Sequence, residues 1–97
     1  MNVISKRGLL GCAAKHRDTF PVLLHWHRIA GAAKWNSIAE VRRDFPSVDQ
    51  VGRVLIFDLK CNRYRFVTCV DYPRQRIFVK ALLTHAEYDK KGWMKWA

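Results

Sequence analysis

Apolar residues recur at helical spacing in the first half of the chain, which predicts helices before the main strands. Residues 1–5 are short and apolar, and are long enough for one small strand. Residues 6–16 carry a stripe of leucine and alanine side chains, so we predict a first helix there, weakened by Gly8 and Gly11. The chain is therefore expected to open with a short strand followed directly by a helix.

A second helix is predicted immediately after the first. Asp18 or Thr19 can cap it, and Pro21 falls in its first turn, where the missing N–H of proline costs nothing. Its core-facing side is formed by apolar residues at helical spacing: Val22, Trp26, Ile29, Ala30 and Ala33. His25 and His27 lie off this side, so we interpret them as ordinary surface or boundary residues.

A third helix and a set of strands complete the predicted architecture. The capping box Ser37–Glu40 opens a short helix through Arg43, which Pro46 ends. Strand composition predicts strands at residues 53–59, 63–71 and 76–83. A second capping box, Thr84–Glu87, predicts a short helix after the last strand. We therefore predict one α+β domain over residues 1–97, with helices flanking a small antiparallel sheet.

The register of the last two strands follows from the turn Tyr72–Gln75 between them. It predicts the facing pairs Asp71–Arg76, Cys69–Phe78, Val67–Lys80 and Arg65–Leu82. Because side chains alternate between faces, the core-facing set is Tyr64, Phe66, Thr68, Val70, Ile77, Val79, Ala81 and Leu83. The opposite set is Arg63, Arg65, Val67, Cys69, Asp71, Arg76, Phe78, Lys80 and Leu82. Arg65 and Lys80 would lie diagonally across the pair, about 7–8 Å apart, and could bind one phosphate together.

The chain is strongly basic, with 18 Lys and Arg against 8 Asp and Glu and a formal net charge of +10. The charge is not confined to a tail, because residues 1–52 carry 8 cations and 4 anions and residues 53–97 carry 10 and 4. So much positive charge on a small surface favours a polyanionic partner. Nucleic acid is the leading candidate, ahead of a membrane surface or an acidic protein.

The cysteine pattern and the hydropathy of the chain indicate the compartment in which the protein is expected. The three cysteines include no CxxC pair, so a reduced cytosol is expected rather than a secreted disulfide scaffold. A zinc site from Cys61, Cys69 and a histidine would need a spacing that fits no standard ligand pair. The sequence has no signal peptide and no segment near the roughly 18 apolar residues of a membrane span. We therefore expect a cytoplasmic protein without a metal, a cofactor or a membrane partner.

The cationic face of the predicted hairpin has the composition of a single-stranded nucleic-acid site. Its charges are nearly all positive, and Val67, Phe78 and Leu82 lie among them, so phosphates can be neutralised while bases stack. His85 and Tyr88 are three residues apart on the following helix and project from one side of it. They could serve as acid–base or phosphate-binding groups. The alternative from the residues alone is a solvated sheet face with a locally bonded histidine and a rim tyrosine.

The chain also resembles a known family over nearly its whole length. The resemblance is carried by VISK at 3–6, Trp35, DFPSVDQVG at 44–52, NRYRFV at 62–67 and THAEYDK at 84–90. In this order and spacing, in a basic chain this short, these motifs are similar to the HigB family of bacterial toxins, a branch of the RelE-like superfamily. One departure is Lys60-Cys61, because relatives often carry a Gly-Gly pair before the position of Asn62.

The resemblance implies a fold, an activity and a partner. The fold is two helices packed on one face of a small twisted antiparallel sheet, followed by a short C-terminal helix, with a concave RNA site on the other face. The activity is that of the toxin in a type II toxin–antitoxin system, a metal-independent endoribonuclease. It cleaves mRNA in the ribosomal 30S A site and so inhibits translation. The partner is a cognate HigA-like antitoxin with a helix-turn-helix domain.

The residue types suggest roles in RNA cleavage by attack of the 2′-OH on the adjacent phosphorus, which requires alignment, proton transfer and charge stabilisation. We expect Arg65 to bind the scissile phosphate through its guanidinium fork. Lys80 would be the second cation, and could serve as a base only if burial among Arg65 and Arg76 lowered its pKa. His85 would act as acid or base, and Tyr88 would orient the phosphate or stack on a base. The further residues expected to bind RNA are Asn62, Arg63, Arg76 and Phe78.

Two other functions stay open from the sequence. A non-enzymatic RNA-binding or ribosome-associated module would use Arg65, Arg76 and Lys80 but has no need of His85 beside Tyr88. An interaction protein would use the same cationic surface to dock an acidic partner. Overexpression separates these classes, because a toxin arrests growth.

Overall fold

The computed structural model describes residues 1–4, 6–59 and 63–97 of the chain. In these ranges the helices α1 to α4 span Lys6–Lys15, Phe20–Ala32, Ile38–Asp44 and His85–Asp89. The strands β1 to β5 span Asn2–Ile4, Asp49–Val51, Val54–Leu59, Tyr64–Asp71 and Arg76–Thr84. Short 3₁₀ segments occupy Arg17–Thr19 and Gly92–Trp96. The predicted helices are thus confirmed, as are the small N-terminal strand and the three later strands.

The two predicted capping boxes have different outcomes. The box at α4 is confirmed, because the Thr84 N–H donates to the Glu87 carboxylate at 3.0 Å and the Glu87 N–H donates to the Thr84 hydroxyl at 3.3 Å. The box at α3 is wrong, because the Ser37 side chain makes no capping bond. The Glu40 carboxylate instead accepts a hydrogen bond from the N–H of Asn36, the residue before Ser37, at 3.0 Å.

The start of α2 is also held differently from the prediction. Pro21 lies in its first turn as expected, and Thr19 occupies the capping position without a capping bond. Its hydroxyl donates to the carbonyl of His16 instead. Asp18 accepts a hydrogen bond from the Tyr64 hydroxyl at 3.1 Å, so this carboxylate links the helices to β4.

The described strands form a sheet in the order β1-β5-β4-β3-β2. The pairs β2–β3, β3–β4 and β4–β5 are antiparallel, while β1 runs parallel to β5. The α+β prediction is confirmed, and the sheet differs from a wholly antiparallel one at its β1 edge. A parallel pair needs a long connection between its strands. Here residues 5–75 separate β1 from β5.

The register of β4 and β5 agrees with the prediction only near the turn. The predicted pairs present there are Asp71–Arg76 and Cys69–Phe78. A β-bulge then adds Lys80 as an extra residue in β5, which shifts the register by one. The pairs beyond the bulge are Val67–Ala81, Phe66–Leu82, Arg65–Leu83 and Tyr64–Thr84. The predicted pairs Val67–Lys80 and Arg65–Leu82 are therefore wrong.

The bulge changes which side chains share a face. Leu82 is only 4% exposed and lies in the core beside the helices, whereas Leu83 packs in a separate cluster on the opposite face. Both assignments are the reverse of the prediction. Lys80 also lies three residues from Leu83, the partner of Arg65, which is about 10 Å along the strand. The diagonal contact between Arg65 and Lys80 is therefore not formed.

The core lies between the sheet and helices α1 and α2. Trp26 of α2 is 1% exposed and makes edge-to-face contacts with Phe57 of β3 and Phe66 of β4, at centroid distances of 5.5 and 4.7 Å. Such aromatic pairs add to the stabilisation that comes from burying their area. His25 is exposed and His27 half-buried, as interpreted from the sequence. Across the described residues, the helices are too short and too polar to cross a membrane.

Candidate nucleic-acid interface

The face of the sheet turned away from α1 and α2, here called the outer face, has its own apolar cluster. Its buried members are Val54, Ile56, Val67, Cys69 and Trp93, and the half-buried ones include Phe78, Leu83, Tyr88 and Trp96. Both tryptophans come from the 3₁₀ segment Gly92–Trp96, so the C-terminal segment covers part of this face. The rest of the face is bordered by charged side chains.

Arg65 lies at the end of the outer face nearest to α4. Its cross-strand partner on β3 is Asp58, whose carboxylate is 3.0 Å from the guanidinium. The two side chains are 17% and 22% exposed, so the ion pair is largely shielded from water. The guanidinium carbon also lies 5.7 Å from the ring centroid of Tyr88. These contacts fix the orientation of the planar guanidinium fork, which is the group best shaped to bind a phosphate.

Tyr88 is fixed in turn by the C-terminal segment. Its ring stacks on Trp93 with centroids 5.0 Å apart and planes 3° from parallel, and the Trp93 indole N–H donates to the Tyr88 carbonyl at 3.0 Å. One face of the tyrosine ring is therefore covered. Burial, with Asp49 as the next contributor, raises the pKa of Tyr88, although the Arg65 charge lowers it. The hydroxyl is thus protonated at neutral pH and can donate a hydrogen bond.

His85 is the first residue of α4 and is exposed. It shares one side of this short helix with Tyr88. The capping bonds of Thr84 hold the start of the helix, and the Thr84 N–H is the main reason why the pKa of Glu87 lies below its ordinary value. Glu87 also lies 3.6 Å from Lys15 of α1. The position of His85 is therefore set by the fold.

At the opposite end of the outer face, near the β4–β5 turn, an open cleft of about 580 Å³ is present. Its cations are Arg53, Arg74, Arg76 and Lys80, and its aromatic side chains are Tyr72, Phe78 and Trp96. The carboxylate of Asp71 also lines the cleft and lies 3.4 Å from the Arg74 guanidinium. Lys80 is exposed, with its ammonium 5.9 Å from the Phe78 ring centroid.

The predicted site residues are thus divided between the two ends of the outer face. One group, at α4, consists of Arg65, His85 and Tyr88; the other, at the cleft, consists of Arg76, Phe78 and Lys80. Arg63 is directed toward the helices, where its guanidinium lies 3.7 Å from Asp18. Asn62 lies outside the described residues. Lys80 would need to be buried to act as a base, and it is exposed.

Sequence reasoning missed several residues of this face: Arg53, Asp58, Trp93 and Trp96. Asp58 had a usable signal, since it interrupts an apolar strand, and pairing β3 with β4 would have placed it opposite Arg65. The two tryptophans also had a signal, because large apolar side chains in a polar tail usually pack against the body of a domain. Arg53 had none, because its role depends on where the distant C-terminus lies.

The zinc alternative finds no support in the described part of the chain. Cys69 is buried, and its thiol lies 3.8 Å from the carbonyl oxygen of Trp96. Cys61 lies outside the described residues. Within residues 1–4, 6–59 and 63–97, no group of three or more His, Cys, Asp or Glu side chains could hold a metal ion.

The fold and this face define a small, basic, RelE-like α+β protein with a cationic and aromatic sheet surface. Residues 21–91 match the family model HigB_toxin, which describes the RelE-like toxic component of a toxin–antitoxin system, and the chain belongs to this family. The chain is 29% identical over 93 residues to the mRNA interferase HigB of Escherichia coli O6:H1. That alignment covers 93% of this chain and 90% of the relative.

Proposed function

We propose that this toxin is an mRNA interferase, an endoribonuclease that cleaves mRNA in the 30S A site of the ribosome. The observation that carries the proposal is the fixed Arg65–Tyr88 pair on the outer face, with a cationic cleft further along the same face. The name of the E. coli relative supports the same activity. A HigA-like antitoxin with a helix-turn-helix domain is the proposed partner that restrains it in the bacterial cytoplasm.

The proposed reaction is attack of the ribose 2′-oxygen on the adjacent phosphorus, with departure of the 5′-oxygen. The new P–O bond closes a 2′,3′-cyclic phosphate, the P–O5′ bond breaks, and the leaving oxygen takes a proton from water to become a 5′-hydroxyl. His85 is the proposed acceptor of the 2′-OH proton, because it is the only predicted acid–base group that shares the α4 end with Arg65 and Tyr88. A neutral imidazole carries one ring nitrogen that can accept a proton, which suits this task.

Arg65 and the groups around it are proposed to stabilise the negative charge that develops on the phosphate. The scissile phosphate gains negative charge on its non-bridging oxygens during attack, and oriented N–H donors stabilise that charge. Asp58 and Tyr88 hold the guanidinium in one orientation, so little reorganisation is needed when the charge develops. The Tyr88 hydroxyl, protonated at neutral pH, can donate a hydrogen bond to an oxygen of the same phosphate.

The environment of Tyr88 favours one of the two roles that the sequence left open. Trp93 covers one face of the ring at stacking distance, and the Arg65 guanidinium lies 5.7 Å from its centroid. A nucleobase therefore has little free ring surface on which to stack. We assign the contribution of Tyr88 to its hydroxyl.

Cleavage is expected to continue when divalent metal is removed. The outer face supplies Arg65, Arg76 and Lys80, whose charges can neutralise phosphate without a bound cation. The measurement is mRNA cleavage by the wild-type protein on programmed ribosomes treated with EDTA and kept intact by polyamines. Sedimentation of the ribosomes is the control. Activity that disappears on intact ribosomes and returns only with a divalent metal would contradict the proposed chemistry.

The His85→Gln variant is expected to cleave about 100-fold more slowly in single turnover, because a proton acceptor is lost. Tyr88→Phe should also lose most of its activity, since the ring and its stacking on Trp93 are retained while the hydroxyl is removed. Ribosome binding is measured for each variant in parallel. Equal losses of binding and cleavage in His85→Gln would mean that this residue only holds RNA. Full activity of Tyr88→Phe would mean that Tyr88 contributes through its ring and not through its hydroxyl.

A further inference from the structure

The cleft at the turn end of the outer face is lined by segments that lie far apart in the sequence. Most of its lining comes from β4, β5 and their turn, and the rest comes from Gln50, Gly52, Arg53 and Trp96. The Arg53 side chain donates to the Trp96 carbonyl oxygen at 3.2 Å. The cleft is therefore completed only when the C-terminal segment packs against the turn between β2 and β3.

The C-terminal segment is held so closely that Trp96 has a defined position. Gly52 has φ +58°, and a Cβ atom on it would lie 3.1 Å from the carbonyl carbon of Ala97. Only glycine allows both this backbone conformation and this close approach without strain. Trp93 is 6% exposed and stacked on Tyr88, so it anchors the segment. Trp96 is half-buried and lines the cleft.

The cleft is positively charged. Arg53, Arg76 and Lys80 are all exposed, and among the described residues none of the three forms an ion pair. The carboxylate of Asp71 lies 3.4 Å from Arg74, so these two charges largely offset each other. An anion entering the cleft would therefore meet three cations that are not held in ion pairs.

The aromatic side chains of the cleft provide a surface on which a nucleobase can stack. Phe78 and Trp96 both line the cleft and are half-buried. The exposed Lys95 side chain places its ammonium 5.0 Å from the Trp96 ring centroid, so a base that stacks on Trp96 would displace this flexible cation. Single-stranded nucleic acid is bound by a positively charged groove combined with aromatic side chains on which bases stack. A volume of about 580 Å³ lies within the range of small-molecule sites. The combination fits one nucleotide better than it fits a free phosphate.

We propose that this cleft is a subsite for a nucleotide that flanks the scissile phosphate, with its base on Trp96 and its phosphate bound by Arg53, Arg76 and Lys80. The proposal rests on the proposed RNA substrate and adds to it a residue outside the resembling motifs. Lys80 is five residues from His85, about 16 Å along the chain direction of β5. The cleft therefore holds a neighbouring nucleotide while the reacting phosphate lies at Arg65.

The test measures binding of a fluorescein-labelled single-stranded RNA whose 2′ positions are methylated, so that it cannot be cleaved. Trp96→Ala is expected to weaken this binding about 10-fold, and Trp96→Phe should lose much less because it keeps an aromatic ring. The matched control is Met94→Ala, an exposed neighbour in the same 3₁₀ segment that does not line the cleft, and it should bind like wild type. The corresponding RNA duplex should bind wild type and Trp96→Ala equally, because its bases are already stacked.

The salt dependence of RNA affinity tests whether the cations of the cleft bind phosphate. Removing Arg76 or Lys80 should lower the slope of log affinity against log salt by about 0.7 for each cation, since each contact releases counterions. Equal affinity of wild type and Trp96→Ala for single-stranded RNA would overturn the subsite, even if the salt slope changes. That pattern would instead mark a general electrostatic surface for an acidic partner. Loss of duplex binding together with single-strand binding in Trp96→Ala would also overturn it, because it would indicate disruption of the segment.

Cleavage on programmed ribosomes separates this proposal from the proposed function. If wild-type protein cleaves mRNA there while Trp96→Ala binds single-stranded RNA normally, the subsite is wrong and the activity stands. If wild-type protein fails to cleave, the proposed function is wrong, and the Trp96 dependence of single-strand binding still decides whether the cleft receives a nucleotide.

Discussion

Replacing Arg65 by alanine is expected to slow single-turnover mRNA cleavage by about 1000-fold and to abolish growth arrest. The guanidinium lies 5.7 Å from the ring centroid of Tyr88, which shares one side of α4 with His85. Loss of one oriented donor to a developing oxyanion costs about 100- to 1000-fold. The wild-type orientation depends on Asp58 at 3.0 Å and on the Tyr88 ring. The measurement is single-turnover cleavage on programmed ribosomes at saturating protein concentration.

Two further variants show whether the fork or the charge of Arg65 matters. Arg65→Lys keeps the charge but loses the planar fork, so it should recover only a small part of the rate. Arg28→Ala is the matched control, because Arg28 is an exposed arginine on α2, on the opposite side of the sheet. It should cleave like wild type. Growth arrest by Arg65→Ala at wild-type expression would remove this residue from the reaction.

Folding of the Arg65 variant must be measured as well, because the ion pair with Asp58 is only about one-fifth exposed. Removing one partner of a shielded pair leaves the other charge without compensation. The double variant Asp58→Asn with Arg65→Ala removes that remaining charge. If the double variant is as stable as wild type and still inactive, the loss of activity comes from the missing guanidinium and not from unfolding.

Phe66→Ala is expected to lower the free energy of unfolding by about 3–5 kcal/mol, the cost of removing a large aromatic side chain from a packed core. Phe66 is fully buried, with its ring centroid 4.7 Å from that of Trp26 and at 83° to it. Alanine would leave a cavity between α2 and β4. Urea unfolding measures the effect as a shift in midpoint at constant slope.

The matched pair Leu82→Ala and Leu83→Ala tests the β-bulge by the same measurement. Leu82 is 4% exposed and lies in the core with Phe66, whereas Leu83 is half-buried on the outer face. Leu82→Ala should therefore be the more destabilising of the two. A harmless Phe66→Ala would mean that β4 presents its other face to the helices. A greater loss in Leu83→Ala would contradict the bulge.

Local sequence signals determined most of the architecture. Helical spacing and Pro21 gave α2, the Thr84–Glu87 box gave α4, and alternation in β4 placed Arg65 and Phe66 on opposite faces. These signals act over a few residues, where the chain has few alternatives. The residue types of the candidate site followed from the outer face of the hairpin and from the HigB resemblance.

The tertiary structure decided how those residues are arranged. Period-two alternation contains no sign of an inserted residue, so the bulge at Lys80 and the separation of Lys80 from Arg65 could not be read from the hairpin alone. Asp58 meets Arg65 only because β3 pairs with β4 in one register. Trp96 meets Arg53 across 43 residues, where the C-terminal segment closes the cleft. Such contacts depend on how distant segments pack together, and no local pattern in either segment specifies them.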